Sequence, residues 1–169
     1  MIPILRGKDV KLRGFTWADF SAFAAMWQEA EVARHIPFAP VIPSQSWARF
    51  NGNNYRWAVH GFGNWAVVGR DGEFLGTTGF FQRDGSDENT VLESGWVFAS
   101  AVHGQGFGSE ALQLSHEWLD RQLFGARSVC MMDPDHTASI RVAEKVGYTL
   151  LRIADDPSGK ARIMERVVG

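Results

Sequence analysis

The alternation and spacing of apolar positions along this 169-residue chain predict its elements in order. Residues 10–15 alternate as a half-buried strand does. Thr16 follows as a helix N-cap with Asp19 in the first turn, and Phe20, Phe23, Ala24 and Trp27 recur at spacings of three and four, lining one helix face. Pro37 forbids its continuation. A second, short helix is expected from Ser44, carrying Trp47 and Phe50, with Gly52-Asn53-Asn54 as its end. Residues 65–68 and 74–81 are β-rich runs joined by Arg70-Asp71-Gly72, whose Asp-Gly pair signals a hairpin. The polar stretch 83–89 leads to a third run, 91–98, which completes an antiparallel meander.

Beyond residue 98 the pattern changes. A helix is expected over 109–124, closed by Gly125, then a strand over 128–132 and a helix over 137–146 closed by Gly147. A strand over 148–153 and a last one over 162–167 flank the turn at 155–159. Strand, helix and strand at this spacing form a crossover unit, so 91–98 and 128–132 should lie parallel in one sheet. The fold class expected is α/β with a mixed sheet: an antiparallel meander, then a parallel pair with its crossover helix.

At this length and 45% hydrophobic residues, one domain over 1–169 is expected. Lys and Arg total 17 against 19 Asp and Glu, a balance that offers no broad electrostatic footprint for nucleic acid or anionic membrane. Cys130 is the one cysteine, which excludes an internal disulfide, and its apolar run reads it as a small buried hydrophobe. Arg6 and Lys8 interrupt the N-terminal apolar run before a signal segment forms, and no stretch nears the roughly 20 apolar residues that cross a bilayer. A cytoplasmic protein is expected, with no nucleic-acid or membrane partner. No His and Cys spacing suits a metal. Seven tryptophans and twelve phenylalanines imply an aromatic core or a ring-lined cleft.

Candidate chemistry concentrates between Glu93 and Lys145. The turn His103-Gly104-Gln105-Gly106-Phe107-Gly108 stands between a strand and an amphipathic helix. The first amides of a helix lack intrahelical acceptors and sit at the positive end of its dipole, so such a turn binds phosphate. Gln105, Gly106, Phe107 and Gly108 are the expected diphosphate-facing amides, with Phe107 also a packing or shielding residue. The glycine spacing is not that of a dinucleotide fingerprint, and no Gly-Lys-Ser or Gly-Lys-Thr follows. Glu93, just upstream, is the candidate proton acceptor.

Three segments resemble a known family in order and spacing. Glu93-Ser94-Gly95-Trp96-Val97, the loop His103 to Ala111, and His136-Thr137-Ala138-Ser139 running on to Gly147-Tyr148 resemble the GCN5-related N-acetyltransferase (GNAT) superfamily. Within it, the branch that acetylates N-terminal amines of ribosomal proteins and small-molecule amines is the most similar. His103 stands where the family loop begins with Arg or Gln, His136 where Asn is usual, and Ala143 where a sister branch has a tyrosine acid.

The resemblance implies helices on both faces of the sheet and acetyl-CoA as cofactor. It places His103, Gln105 to Ser109, His136 and Ser139 beside that cofactor, with pantetheine along the Glu93 strand and a main-chain donor near Val97 for the acetyl oxygen. Glu93 would deprotonate the amine, since an ammonium titrating near pH 10 has no lone pair. Partial desolvation on an inner strand would raise its proton affinity. Ser139 is the candidate donor to the leaving thiolate, or else a first-turn residue of its helix. His136, whose ordinary pKa of about 6.5 permits both states, is a second candidate.

The acceptor side is expected to draw on Trp27, Phe38, Trp47 and Trp65. Asp84, Asp87 and Glu88 are either an attraction for a cationic amine or a solvated loop tip. The expected activity is transfer of acetyl to a primary amine, with no metal and no covalent enzyme intermediate, by a monomer or homodimer. A non-catalytic acyl-CoA binding or sensing module is the alternative.

Overall fold

Leu5–Arg6 (β1) and Lys11–Arg13 (β2) pair as a short antiparallel hairpin at one sheet edge. The computed structural model describes residues 1–36, 39, 41–82, 91–122, 127–157 and 159–168. After β2 the chain makes a 3-10 turn, Trp17–Asp19, and the helices Phe20–Met26 (α1) and Ala30–Ala33 (α2). Asp19 accepts from the Thr16 amide at 2.7 Å and from both terminal nitrogens of Arg13 at 2.7 and 2.8 Å. The buried carboxylate thus joins strand to helix start. The stripe predicted to run unbroken towards Pro37 divides at Met26, where the amides of Gln28 and Glu29 close tighter bonds onto Ala25 and Met26. Val41 then donates to the Trp27 carbonyl, which fixes the break.

The helix Pro43–His60 (α3) corrects a second expectation, because it runs through Gly52-Asn53-Asn54 and stops at Gly61, whose φ is +74°. The Asn54 amide group bonds both the N–H and the C=O of Phe15, and Asn53 accepts from the Asn64 side chain at 3.0 Å. Side chains that compete with the helix in an isolated peptide are here committed to tertiary partners.

Asn64–Val68 (β3), Phe74–Gln82 (β4) and Leu92–Phe98 (β5) form the predicted meander. The helix Phe107–Leu119 (α4) begins two residues before the expected start and ends five before the expected end; Gly125 lies outside the described residues. Arg127–Met132 (β6) follows, then Thr137–Lys145 (α5), Thr149–Asp156 (β7) and Gly159–Val167 (β8). The sheet order is β1-β2-β3-β4-β5-β6-β8-β7, with β5 and β6 parallel and the other pairs antiparallel.

Residues alternate between two apolar layers. Leu92, Trp96 and Phe98 of β5 pack with Leu112 and Leu119 of α4 on one face. Val97, with Ala66, packs with Phe23, Trp27 and Phe50 from the α1 and α3 side on the other. Burying this much aromatic surface favours the fold strongly, at roughly 1.5–3 kcal/mol for each large side chain enclosed. No helix among the described residues is long and apolar enough to cross a membrane.

Candidate active site

The sheet splits where β5 meets β6. Among the described residues, only Leu92 with Ser128 and Glu93 with Val129 are paired between them. Beyond Glu93, β5 stays registered on β4 as far as Phe98 opposite Gly76, whereas β6 stays registered on β8 as far as Met132 opposite Arg162. Each strand follows its outer neighbour, so their carboxyl ends diverge and the inner edge of β5 from Ser94 onward has no strand partner among the described residues. Ligands of α/β sheets bind at such carboxyl-end openings.

The glycine turn lies at the end of β5. After a 3-10 turn at Ser100–Val102, Gly104 and Gly106 take φ of +74° and +89°, the left-handed region that a side chain disfavours, and α4 starts at Phe107. Among the described residues no group accepts from any amide between Gly104 and Ser109; the first bond of the helix is Glu110 N–H to the Gly106 carbonyl. The loop's side chains are used to brace it. His103 Nε2–H donates to the Phe98 carbonyl at 2.8 Å, Gln105 donates to Ala101 at 2.8 Å, and Ser100 N–H donates to Glu29 at 2.9 Å. Phe107 packs into the α4 core layer. Glu110, a first-turn acid that would repel an anion, instead accepts the Asp9 amide. Lys145, which sequence reasoning missed, reaches Ser109 Oγ at 3.2 Å from the last turn of α5, where a terminal cation is common in any helix.

The start of α5 holds His136 and Ser139 together. His136 Nδ1 accepts the Ser139 amide at 3.3 Å, so in the neutral ring the proton sits on Nε2, which lies 3.2 Å from Ser139 Oγ. The serine therefore accepts from histidine and keeps its own proton for another acceptor. Burial and the neighbouring His35 hold His136 below its ordinary pKa, so it is neutral near pH 7. The charged state in which His136 was a second candidate proton donor is thus the disfavoured one at neutral pH. His35, also missed, lies tilted against His136 with ring centroids 4.3 Å apart and donates Nδ1–H to Asp133 at 2.8 Å. A histidine two residues beyond a four-residue helix offers no sequence signal for this contact.

Glu93 is 8% exposed and points, by the strand's alternation with Val97, to the α1 and α3 face. On that face lies a cavity of about 490 Å³ lined by Trp27, Arg49, Asn53, Arg56, Asn64 and Thr77, among others. Trp27 thus stands where the acceptor side was expected. Trp65 does not: it is fully buried in the opposite layer, with Nε1–H donating to the Pro3 carbonyl at 2.9 Å. Alternation along β3 sends it away from Ala66, and its large apolar ring is better used in the core. Trp47 also falls outside the cavity, stacked on Trp17 at 5.1 Å on the outer side of α3. Phe38, Asp84, Asp87 and Glu88 lie outside the described residues. Asn53 and Arg56 were missed because the helix that presents them was expected to end at Gly52, whereas Arg49 lies within the expected helix and carries no local signal of the cavity it lines. Cys130 is buried, and burial pushes its thiol up to about 12, leaving an inert hydrophobe.

Comparisons with known proteins bear on the family and the fold. The sequence profile of the Acetyltransferase (GNAT) domain matches residues 9–149. The uncharacterized protein YkkB of Bacillus subtilis is 36% identical over 107 residues, which are 62% of this chain and 59% of that relative, so the match spans less than two thirds of it. An acetyltransferase from Agrobacterium tumefaciens superposes with a TM-score of 0.83 at 24% identity, covering 99% of this chain and 96% of its own. RimL, a ribosomal-protein alpha-N-acetyltransferase solved in complex with coenzyme A, superposes with a TM-score of 0.82 at 16% identity, covering 98% of each chain. At these identities the structural likenesses establish the fold, and the profile establishes descent. The chain belongs to the GNAT acetyltransferase family.

Proposed function

We propose that this protein transfers acetyl from acetyl-CoA directly to a primary amine. The observation behind this reading is the row of amides from Gly104 to Ser109 that lack acceptors among the described residues, at the positive end of α4 and beside the divergence of β5 from β6. A diphosphate held there satisfies donors that the fold leaves open, and Lys145 adds a cation at the same turn. The pantetheine arm then lies along the unpartnered edge of β5, where a main-chain donor near Val97 meets the acetyl oxygen. Membership of the family, and coenzyme A in the RimL structure, support the choice of carrier.

Acetyl-CoA supplies a thioester whose carbonyl carbon accepts the amine's lone pair as its bond to sulfur breaks. Glu93 takes the amine's proton, directly or through a water, and does so from a nearly enclosed position on the same strand. Ser139, whose Oγ accepts from neutral His136, directs its O–H at the departing sulfur. His136 thereby acts as a positioning residue for Ser139.

Release of CoA thiol with a panel of primary amines tests the reaction. Glu93→Gln should keep the thermal stabilisation conferred by CoA while lowering turnover by about 100-fold or more. Stabilisation by CoA with no turnover on any amine would instead mark a binding module. Stabilisation by ATP or NAD in preference to CoA would remove the carrier assignment.

A further inference from the structure

From the meeting of the α2 and α5 ends we infer that His35, anchored by Asp133, is a positioning residue for acetyl transfer: its ring keeps His136 turned so that Nδ1 takes the Ser139 amide and Nε2–H meets Ser139 Oγ. This deepens the proposed reaction and rests on it. The two contacts from His136 to Ser139 are long, at 3.3 and 3.2 Å, and an imidazole rotates about its last torsion over broad wells. Turned over, the same ring shows C–H groups to the serine. Bonds this long do not fix the ring unaided.

His35 supplies the constraint. Its ring is inclined 31° to that of His136, with centroids 4.3 Å apart. Turning His136 over would bring its edge onto the His35 face, which needs a wider spacing. His35 is itself held: Nδ1–H donates to Asp133 Oδ2 at 2.8 Å, Asp133 Oδ1 accepts the Asp135 amide at 2.8 Å, and the Asp133 carbonyl accepts the His136 amide at 3.0 Å. The bond from His35, and then that from the Asp135 amide, keep the Asp133 carboxyl below its usual pKa, so it remains an acceptor at neutral pH.

The segment that delivers His35 spans the opening of the sheet. At its start Glu29 accepts the Ser100 amide, just past β5, at 2.9 Å; at its end His35 meets Asp133, just past β6. The contact also bears on the charge of His136. Burial first, and then repulsion from His35, hold that ring below its ordinary pKa; Asp133 pulls the other way and His103 adds to the repulsion. Among the described residues these three are the titratable groups that act on it. A second proton would go to Nδ1, where it would face the Ser139 N–H and break the cap.

His35→Asn tests this, because its Nδ2 stands where the histidine Nδ1 does and can still donate to Asp133, while it offers no ring to His136. The His136 imidazole resonances, assigned by their loss in His136→Asn, should titrate closer to 6.5 in His35→Asn than in the wild type. A ring with a pKa of about 6.5 is roughly one-quarter neutral at pH 6. The kcat of His35→Asn relative to wild type should therefore fall by up to about fourfold between pH 8 and pH 6, with the KM for acetyl-CoA unchanged. The same substitution made in His136→Asn should leave that ratio level. His35→Phe, which keeps a ring against His136, should recover most of the kcat that His35→Asn loses at pH 8. An unmoved His136 titration, or a loss of kcat that persists in the His136→Asn background, overturns the inference while leaving the proposed reaction intact. A moved titration in a protein that turns over no amine removes the reaction, and the part of His35 in it.

Discussion

At the first turn of α5 one imidazole serves both the backbone and a neighbouring hydroxyl. His136 Nδ1 caps the Ser139 amide while Nε2 holds Ser139 Oγ. Losing a helix cap costs about 1 kcal/mol. His136→Ala should therefore lower the unfolding free energy read from urea titration by that amount, and His136→Asn, which can cap in the same way, should recover most of it. Ser139→Ala should leave the midpoint near wild type and lower kcat about tenfold with little change in CoA affinity, as expected for one donor that acts on the leaving group. A loss confined to CoA affinity would assign Ser139 to cofactor binding alone. His136 and Ser139 were legible in the sequence as separate candidates, not as a bonded pair; the contact of His35 with His136 was not legible at all, since about a hundred positions separate them and only folding brings them together.

Among the elements, the glycine turn and α3 contrast in how legible they are. The turn was readable because its requirement is local: Gly104 and Gly106 supply the positive φ that lets α4 begin with exposed amides. Gly106→Ala has open space for its Cβ but meets the left-handed backbone penalty, roughly 1–2 kcal/mol. The expected result is a loss of that size or smaller in stability, together with a larger proportional loss in CoA affinity, read by denaturation and by titration calorimetry. Unchanged CoA affinity would mean that the turn does not hold the diphosphate. Helix α3 was misjudged for the opposite reason. Gly52-Asn53-Asn54 is a helix terminator by local preference, but bonds from Asn54 to Phe15 and from Asn64 to Asn53 bring those residues into a continuous helix. The presentation of Arg49, Asn53 and Arg56 along one cavity wall depends on that continuity.

Across the whole molecule, a buried network joins the helix behind the candidate site to the sheet. His116 of α4 donates Nδ1–H to the Leu112 carbonyl at 2.7 Å and accepts at Nε2 from Tyr148 Oη at 3.0 Å, while Tyr148 lies 2.8 Å from Ser128 Oγ on β6. Burial lowers the His116 pKa to about 4, from 6.5 in the open chain. Between these values the unfolded chain binds a proton that the folded one refuses, so this contribution is full above pH 6.5 and is lost as the pH falls towards 4. The difference corresponds to roughly 3 kcal/mol at about 1.4 kcal/mol per unit. Urea unfolding at pH 7, 5.5 and 4 should show this decline, and His116→Gln, which can hydrogen-bond without titrating, should flatten it. A wild-type curve that is level over this window would place His116 in contact with solvent. The sequence by itself determined the order of the meander, crossover unit and closing strands, the parallel pairing of β5 with β6, and the glycine turn with Glu93 at its approach, because periodicity, glycine placement and crossover length are properties of neighbouring residues. Only the tertiary structure decided that Trp65 belongs to the core while Trp27 faces the cavity, that the sheet opens just past Glu93, and that two arginines and an asparagine meet in one cavity. Those outcomes depend on which face of each element is covered and on bonds between distant segments, and no local pattern encodes them.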